Sequence, residues 1–395
     1  MSDTTETRMG TKIEMGDGGS TQGAGQGATY SATQSGAHAS AHDDGLLRGF
    51  WYPALESARV DGRKLRSAML LGVPLVLGRD AQGQSFALRD NCPHRGIPLS
   101  YAHFDGSTLE CCYHGWRFIP KTGQCCEIPS LTDAQKGDKF KVERIFAESF
   151  PCEEHDGYLW VYIPDPALRG ETAPPAPRLP TFSQPYRMVR LSADLPCHVD
   201  HGIIGLMDPA HGPFVHQAWW WRSRRSIHEK EKTFEPIPNG FRIRAHAPSA
   251  NSAFYKLLGV YGEAITTTIE FVLPNMRFEE IHCGPKWFSS RTTVTPVTAS
   301  HCRIDFCAAW NVFRWMPFMT ELFSAFGRAF IEQDRRTMQQ QAEGLKYNPR
   351  LMLIDDADRP AKWYFQLKAA HVAAKRTGQP MEHPVPGVVT LRWRS

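Results

Sequence analysis

Two short runs pair a cysteine with a histidine. In Cys92-Pro93-His94-Arg95-Gly96 the thiol and the imidazole are separated by one residue. Beyond His94 and sixteen intervening residues comes Cys111-Cys112-Tyr113-His114-Gly115-Trp116, where Cys111 and His114 are separated by two. Two thiolates and two imidazoles delivered by two loops make a compact four-ligand pocket. Such a pocket suits a tetrahedral zinc ion or a [2Fe-2S] cluster with histidine on one iron. Spacing alone leaves both open. The N-terminus, MSDTTETRMGTKIEMGDGGS, is acidic and carries no apolar stretch, so a cytoplasmic, reducing setting is expected. There the ten cysteines are expected to be free thiols or ligands rather than disulfides.

A second constellation lies downstream in GLMDPAHGPFVH, where Asp208, His211 and His216 follow one another at spacings of three and five. On a helix Asp208 and His211 share a face. Gly212-Pro213 is expected to break that helix and swing His216 back beside His211. Two neutral imidazoles need a carboxylate to complete the facial arrangement that holds non-heme Fe(II) with open positions for O2. In FSAFGRAFIEQDRRTMQQQAEGL an apolar stripe runs Phe326, Phe330, Met338, Ala342, Leu345, and the step missing from it is Asp334. An unpaired carboxylate on a buried face needs a cation. Glu332 and Glu343 fall on the opposite, solvated side, so Asp334 is the expected third ligand. The bland alternatives are core histidines with ordinary hydrogen bonds and an Asp208 that only caps a helix or turn before Pro209.

The elements that must position these groups follow from periodicity. Residues 1–44 are rich in Gly, Ser, Thr, Gln and Ala and are expected to be a disordered tail. Residues 45–165 hold short apolar segments between Gly, Asp and Pro turns, the pattern of an all-β domain. A Pro-rich linker, 166–186, follows, within a stretch of seven prolines between 164 and 185. Residues 187–395 mix helical patterns, near 198–211 and 317–345, with alternating segments such as FRIRAHA and AITTTIEFVLP. The whole is α+β, with the second domain's helices packed on an antiparallel sheet. The longest apolar run, AMLLGVPLVLG, is too short to span a bilayer. A net charge of +4 without any Lys/Arg block argues against nucleic acid as a partner. An apolar substrate cavity is expected from GIIGLM, with Trp219, Trp220, Trp221, Phe254 and Phe271 available to line it. Arg222, Arg224 and Arg225 read as a solvated basic face rather than a binding site for an acidic substrate or partner, and His198, Asp200 and His201 as ordinary helix-end residues rather than a polar group near the site. No GxGxxG segment follows a strand, so electrons must come from a separate protein.

The two Cys/His runs resemble the CxHRG and CxxHGW loops of Rieske iron-sulfur domains. Of the two kinds, the oxygenase type is the closer, since the second cysteine that respiratory Rieske loops each carry is absent here. With the Asp-x2-His-x4-His run and a downstream Asp, the chain resembles the catalytic α subunit of Rieske non-heme iron aromatic-ring-hydroxylating oxygenases. That resemblance implies an N-terminal Rieske domain whose [2Fe-2S] cluster is held by Cys92, His94, Cys111 and His114. It implies a catalytic domain whose mononuclear Fe(II) is held by His211, His216 and Asp334. It also implies a bridging role for Asp208, between an iron histidine and a cluster histidine across a subunit interface. Further implications are O2 as co-substrate, a separate ferredoxin or flavin reductase as electron donor, a homotrimer, and a small hydrophobic substrate that is mono- or dihydroxylated or oxidatively demethylated. Many relatives carry Asn three or four residues before the bridging Asp, where this chain has Ile204 and Gly205. Two rivals are a Rieske electron carrier lacking mononuclear iron and a zinc-stapled ligand-binding protein.

Overall fold

The computed structural model describes residues 13–14, 28–32, 44–62, 64–136, 141–166, 172–179, 185–217, 224–248, 255 and 258–395. The chain divides into two units, one formed by Leu47–Thr181 with Thr295–Thr298 and the other by Met1–Leu46, Phe182–Val294 and Ala299–Ser395. The expected disordered tail lies for the most part outside the described residues. Two pieces within it, Ile13–Glu14 and Ala28–Ala32, are strands, and the second pairs antiparallel with Leu351–Leu353.

The smaller unit is all β, in three antiparallel sheets. Tyr158–Ile163, buried along its whole length, pairs with Phe50–Glu56 and Cys152–His155. A second sheet is Arg66–Leu70, Val73–Arg79, Ser85–Arg89 and Ser149–Phe150; a third is His103–Phe104, Leu109–Glu110, Arg117–Phe118 and Cys125–Glu127. β-branched, aromatic and leucine side chains fill these short strands, whose central residues are buried in continuous runs. Leu88, Leu99, Leu109 and Phe118 form one core cluster that also takes in Cys92 and Cys111. Each such fully buried apolar side chain contributes about 1.5–3 kcal/mol. The described part of the Pro-rich run belongs with this unit: Pro174 accepts a hydrogen bond from Trp51 Nε1, and Leu179 N donates to Asp156.

The larger unit is built on an eight-stranded antiparallel sheet. Its order is Arg187–Leu195, Cys302–Trp310, Lys286–Pro296, Met276–Cys283, Ile265–Val272, Gly240–His246, Glu229–Ile237 and Val389–Arg394. Among the described residues the helices with defined bounds are α1 (Val199–Met207), α2 (Gly212–Val215), α3 (Met319–Leu345) and α4 (Arg359–Thr377). α3 lies on the edge strand Arg187–Leu195, with Gly327 against Leu191. Helix α4 was not anticipated, although Pro360 in its first turn, Lys375 and Arg376 in its last and Gly378 at φ +68° are the usual start and stop signals. Among the described residues no helix is long and apolar enough to cross a membrane.

Two sequence expectations need correction. The helix carrying Asp208 does not run on to Gly212-Pro213. It ends at Met207, and Asp208 is extended at ψ 118°. The cause is Pro209, whose ring excludes the helical conformation from the residue before it. Gly212-Pro213 instead opens α2, where a proline needs no N–H partner. The stripe on α3 is not a buried face throughout: Phe326 is 37% exposed, and the buried residues of the helix are Met319 and Ile331. Only one side of α3 meets the strand, so its apolar periodicity overstates its burial.

Candidate functional site

The two Cys/His loops repeat one backbone design. Cys92 N donates to Ile97 O and Gly96 N to Cys92 O; Cys111 N donates to Trp116 O and Gly115 N to Cys111 O. Both closures place a glycine at positive φ, +72° at Gly96 and +71° at Gly115, where a side chain would be strained. Each loop is also tied at its base. Asp90 accepts from the backbone and hydroxyl of Ser100, and Arg117 pairs with Glu110 at 2.7 Å.

The loops bring the sulfurs together in the core and the imidazoles together above it. His94 and His114 have ring centroids 4.5 Å apart, and His94 stacks on Trp116 at 4.5 Å with the rings 4° from parallel. Burial pushes the Cys92 thiol up to about 11, with the Cys111 thiol adding to the rise and the backbone N–H groups of His94 and Arg95 opposing it. A buried thiol that resists ionisation, aimed at by two N–H donors, becomes a thiolate only when a cation is present. His94 Nδ1 is buried without a hydrogen-bond partner. Two paired thiols, two paired imidazoles and an orphaned ring nitrogen fit a cluster that has cysteine on one metal and histidine on the other. Cys112 and Cys126 are exposed and Cys125 is buried; all ten cysteines are free.

The second centre is assembled from distant parts of the larger unit. Asp208, released from α1, accepts from Ala210 N through Oδ1 at 2.7 Å and turns Oδ2 toward His211 Nδ1 at 3.5 Å. His211 Nε2 is then 3.1 Å from His216 Nε2 and 4.0 Å from Asp334 Oδ1, and His216 Nε2 is 3.1 Å from the same oxygen. Among the described residues, His211, His216 and Asp334 are the group whose ligand atoms all lie within 4.8 Å of one another. Gln333, missed from the sequence, accepts from His216 Nδ1 at 2.9 Å across 117 residues, and Phe330 stacks on the same ring at 4.5 Å. His216 Nδ1 meets Gln333 and Asp208 Oδ2 lies 3.5 Å from His211 Nδ1, while both Nε2 atoms lie within 4.0 Å of Asp334 Oδ1, a donor set of two imidazoles and one carboxylate that suits Fe(II). Burial disfavours the His211 imidazolium, but Asp208 and, more weakly, Asp334 outweigh it and leave the group raised. Glu332 points elsewhere, held well below its ordinary range by Arg335 and Arg336.

The remaining expectations divide. His198 caps α1, accepting from Asp200 N, and Asp200 is held by both Lys368 and Tyr364. His201, expected to be an ordinary helix-end residue, instead lines a cavity of about 260 Å3 beside Asp208, His211 and Asp334. Phe271 does not: it is buried in the sheet against Phe241 and Tyr364. Arg224 and Arg225 are exposed, and Arg224 lies over Phe214. Trp219, Trp220, Trp221, Arg222 and Phe254 lie outside the described residues.

Comparison with known proteins places both regions. The Rieske [2Fe-2S] domain family matches residues 50–145, and the vanillate O-demethylase oxygenase C-terminal domain family matches residues 197–381. Chlorophyllide a oxygenase of Chlamydomonas reinhardtii is 34% identical over 53% of this chain and 28% of its own length. The oxygenase subunit of 5,5'-dehydrodivanillate O-demethylase from a Sphingobium species is 30% identical over 45% of this chain and 41% of its own. These alignments thus span well under half of either relative. Dicamba monooxygenase bound to dicamba superposes with a TM-score of 0.64 at 23% identity, over 82% of this chain and 98% of that one, which is a likeness of fold. With a Rieske domain followed by an oxygenase C-terminal domain, the chain belongs to the Rieske non-heme iron oxygenases.

Proposed function

We propose that this protein is the oxygenase component of a multicomponent Rieske system. It takes electrons singly from a separate ferredoxin or flavin reductase and uses O2 to hydroxylate, once or twice, or oxidatively demethylate a hydrophobic aromatic or alicyclic compound. The observation that carries the reading is the convergence of His211 Nε2, His216 Nε2 and Asp334 Oδ1 in a chain that also holds the paired Cys/His loops. Cys92, Cys111, His94 and His114 would hold the cluster, and His211, His216 and Asp334 the mononuclear iron. When bound, the cluster supplies one-electron relay and the iron supplies O2 activation.

The protein's own groups do the rest. Asp208 keeps the His211 proton on Nδ1, and Gln333 does the same for His216, so both rings offer Nε2. The apolar walls of the cavity exclude water from the reacting end. Asp208 is the bridging residue, coupling the iron histidine to a cluster histidine of a neighbouring subunit in a homotrimer. Its partial exposure, and that of Tyr113 at 55% beside His114, supports a partner meeting both places. The free state of all ten cysteines supports a reducing, cytoplasmic setting. The match to a vanillate O-demethylase domain supports keeping demethylation among the outcomes.

Metal analysis with optical and EPR spectra of anaerobically purified protein tests the reading. Three irons per chain and the low average g of a reduced, histidine-ligated cluster are expected. Two irons would reduce the protein to an electron carrier, and colourless protein with zinc would end the proposal.

A further inference from the structure

The face of α3 that carries Asp334 also shows what sets its depth. Phe323, Gly327, Phe330 and Asp334 follow at spacings of four, three and four, so they share one side of the helix. Each meets a partner in the larger unit. Phe323 packs on Trp310 with ring centroids 4.5 Å apart, Gly327 lies against Leu191, Phe330 stacks on His216 at 4.5 Å, and Asp334 Oδ1 is 3.1 Å from His216 Nε2. Among the described elements, the strand Arg187–Leu195, which carries Leu191, is the one α3 meets most extensively.

Gly327 is the odd member of that row. Glycine inside a helix is less favourable than alanine, because it gives up more backbone freedom. Backbone conformation does not call for it, since it is not among the glycines at positive φ. Close approach does: a Cβ added at Gly327 would overlap the Cδ1 methyl group of Leu191. Leu191 is 7% exposed, so that methyl group is packed and has no open solvent to swing into. Gly344, on the same helix, is the contrast, for a Cβ there would meet nothing within 4 Å. A methyl group at 327 therefore separates helix and strand by something on the order of 1 Å. Asp334 lies seven residues on, about 10 Å along the same face, and moves with the helix. Metal–ligand distances tolerate only about 0.2 Å, so a displacement of that size takes the carboxylate out of reach.

We propose that Gly327 is a positioning residue for the metal site: its missing side chain lets α3 lie close enough to Leu191 for Asp334 to reach His211 and His216. The proposal rests on the reading of His211, His216 and Asp334 as the iron site.

Competition for the mononuclear iron of the anaerobic holoenzyme by a ferrous chelator tests it without turnover. Gly327→Ala is expected to hold that iron about 10-fold or more weakly. Adding Leu191→Val takes one methylene from the strand as the alanine adds one to the helix, and is expected to restore affinity to within about 3-fold of the unaltered protein. Leu391→Ala separates position from stability. Leu391 is 2% exposed on Val389–Arg394, the opposite edge strand of the same sheet, so this variant is expected to lower the Tm followed by circular dichroism while leaving the iron as tight as before. Unchanged iron affinity in Gly327→Ala, equal weakening in Leu391→Ala, or a folded double variant that stays weak overturns the proposal. If Gly327→Ala does not fold, the double variant decides: near-normal iron in a folded protein supports the proposal and any other result overturns it. Protein that holds only two irons before any substitution defeats the reading of the metal site and this inference with it, whereas a third iron that Gly327→Ala leaves tight defeats the inference alone.

Discussion

The two proposed metal sites solve the same problem by opposite means. Each Cys/His loop is complete within six residues: ligands, closing hydrogen bonds and positive-φ glycine all lie between positions 92 and 97 or between 111 and 116. The triad draws on a helix end, a short second helix and a residue of α3 more than a hundred positions later. Each loop closes on its own backbone hydrogen bonds, although the core cluster that holds Cys92 and Cys111 brings the two loops together. The second kind depends on how α3 seats against the strand Arg187–Leu195, so it can lose Asp334, the proposed third ligand, without any change in the histidines.

Mutations that separate the sites sharpen this contrast. The largest effect is expected of Asp334→Ala, which should lower iron from three to two per chain and turnover to background while the cluster spectrum stays intact. Loss of the cluster along with the iron would mean that the sites are not independent. Asp208→Ala should retain both metals yet cut turnover on the order of 100-fold, because His211 loses the acceptor on Nδ1 and the bridge is gone; steady-state oxygen uptake measures it, and near-normal rates would remove Asp208 from the scheme.

Gln333→Leu frees the His216 ring and should weaken mononuclear iron about 10-fold to 100-fold, read by titration with a competing chelator. In the loops, Gly96→Ala and Gly115→Ala each force a side chain into positive φ, at about 1–2 kcal/mol. Gly115→Ala should be the worse by thermal melting of the cluster absorbance, since its Cβ meets Pro129 Cγ at 3.1 Å and the one at Gly96 meets nothing within 4 Å. The smallest effect belongs to Glu332→Gln, which should leave iron content and oxygen uptake unchanged; a lost iron there would reassign the third ligand to Glu332.

The loops were legible because their four candidate ligands lie close together in sequence, so spacing marked them out, while the resemblance to Rieske loops chose a cluster over zinc. Asp334 was legible as the gap in an apolar stripe, yet the stripe misled about depth: Phe326 is exposed and Ile331, off the stripe, is buried. The helix break was assigned to Gly212-Pro213 when Pro209, acting on Asp208, was already sufficient. No feature of the sequence marked Gln333 out, since its only distinction is the imidazole it meets from 117 residues away.

By itself, then, the sequence determined which side chains could bind metal, that the two Cys/His pairs lie in an all-β region, and that an antiparallel sheet carries the second half. Only the tertiary structure decided that Gln333 rather than a neighbour orients His216, and that His201 and Gln341 line one cavity. The reason is physical: local spacing dictates which residues share a helix face, but the packing of one helix on another dictates what that face sees.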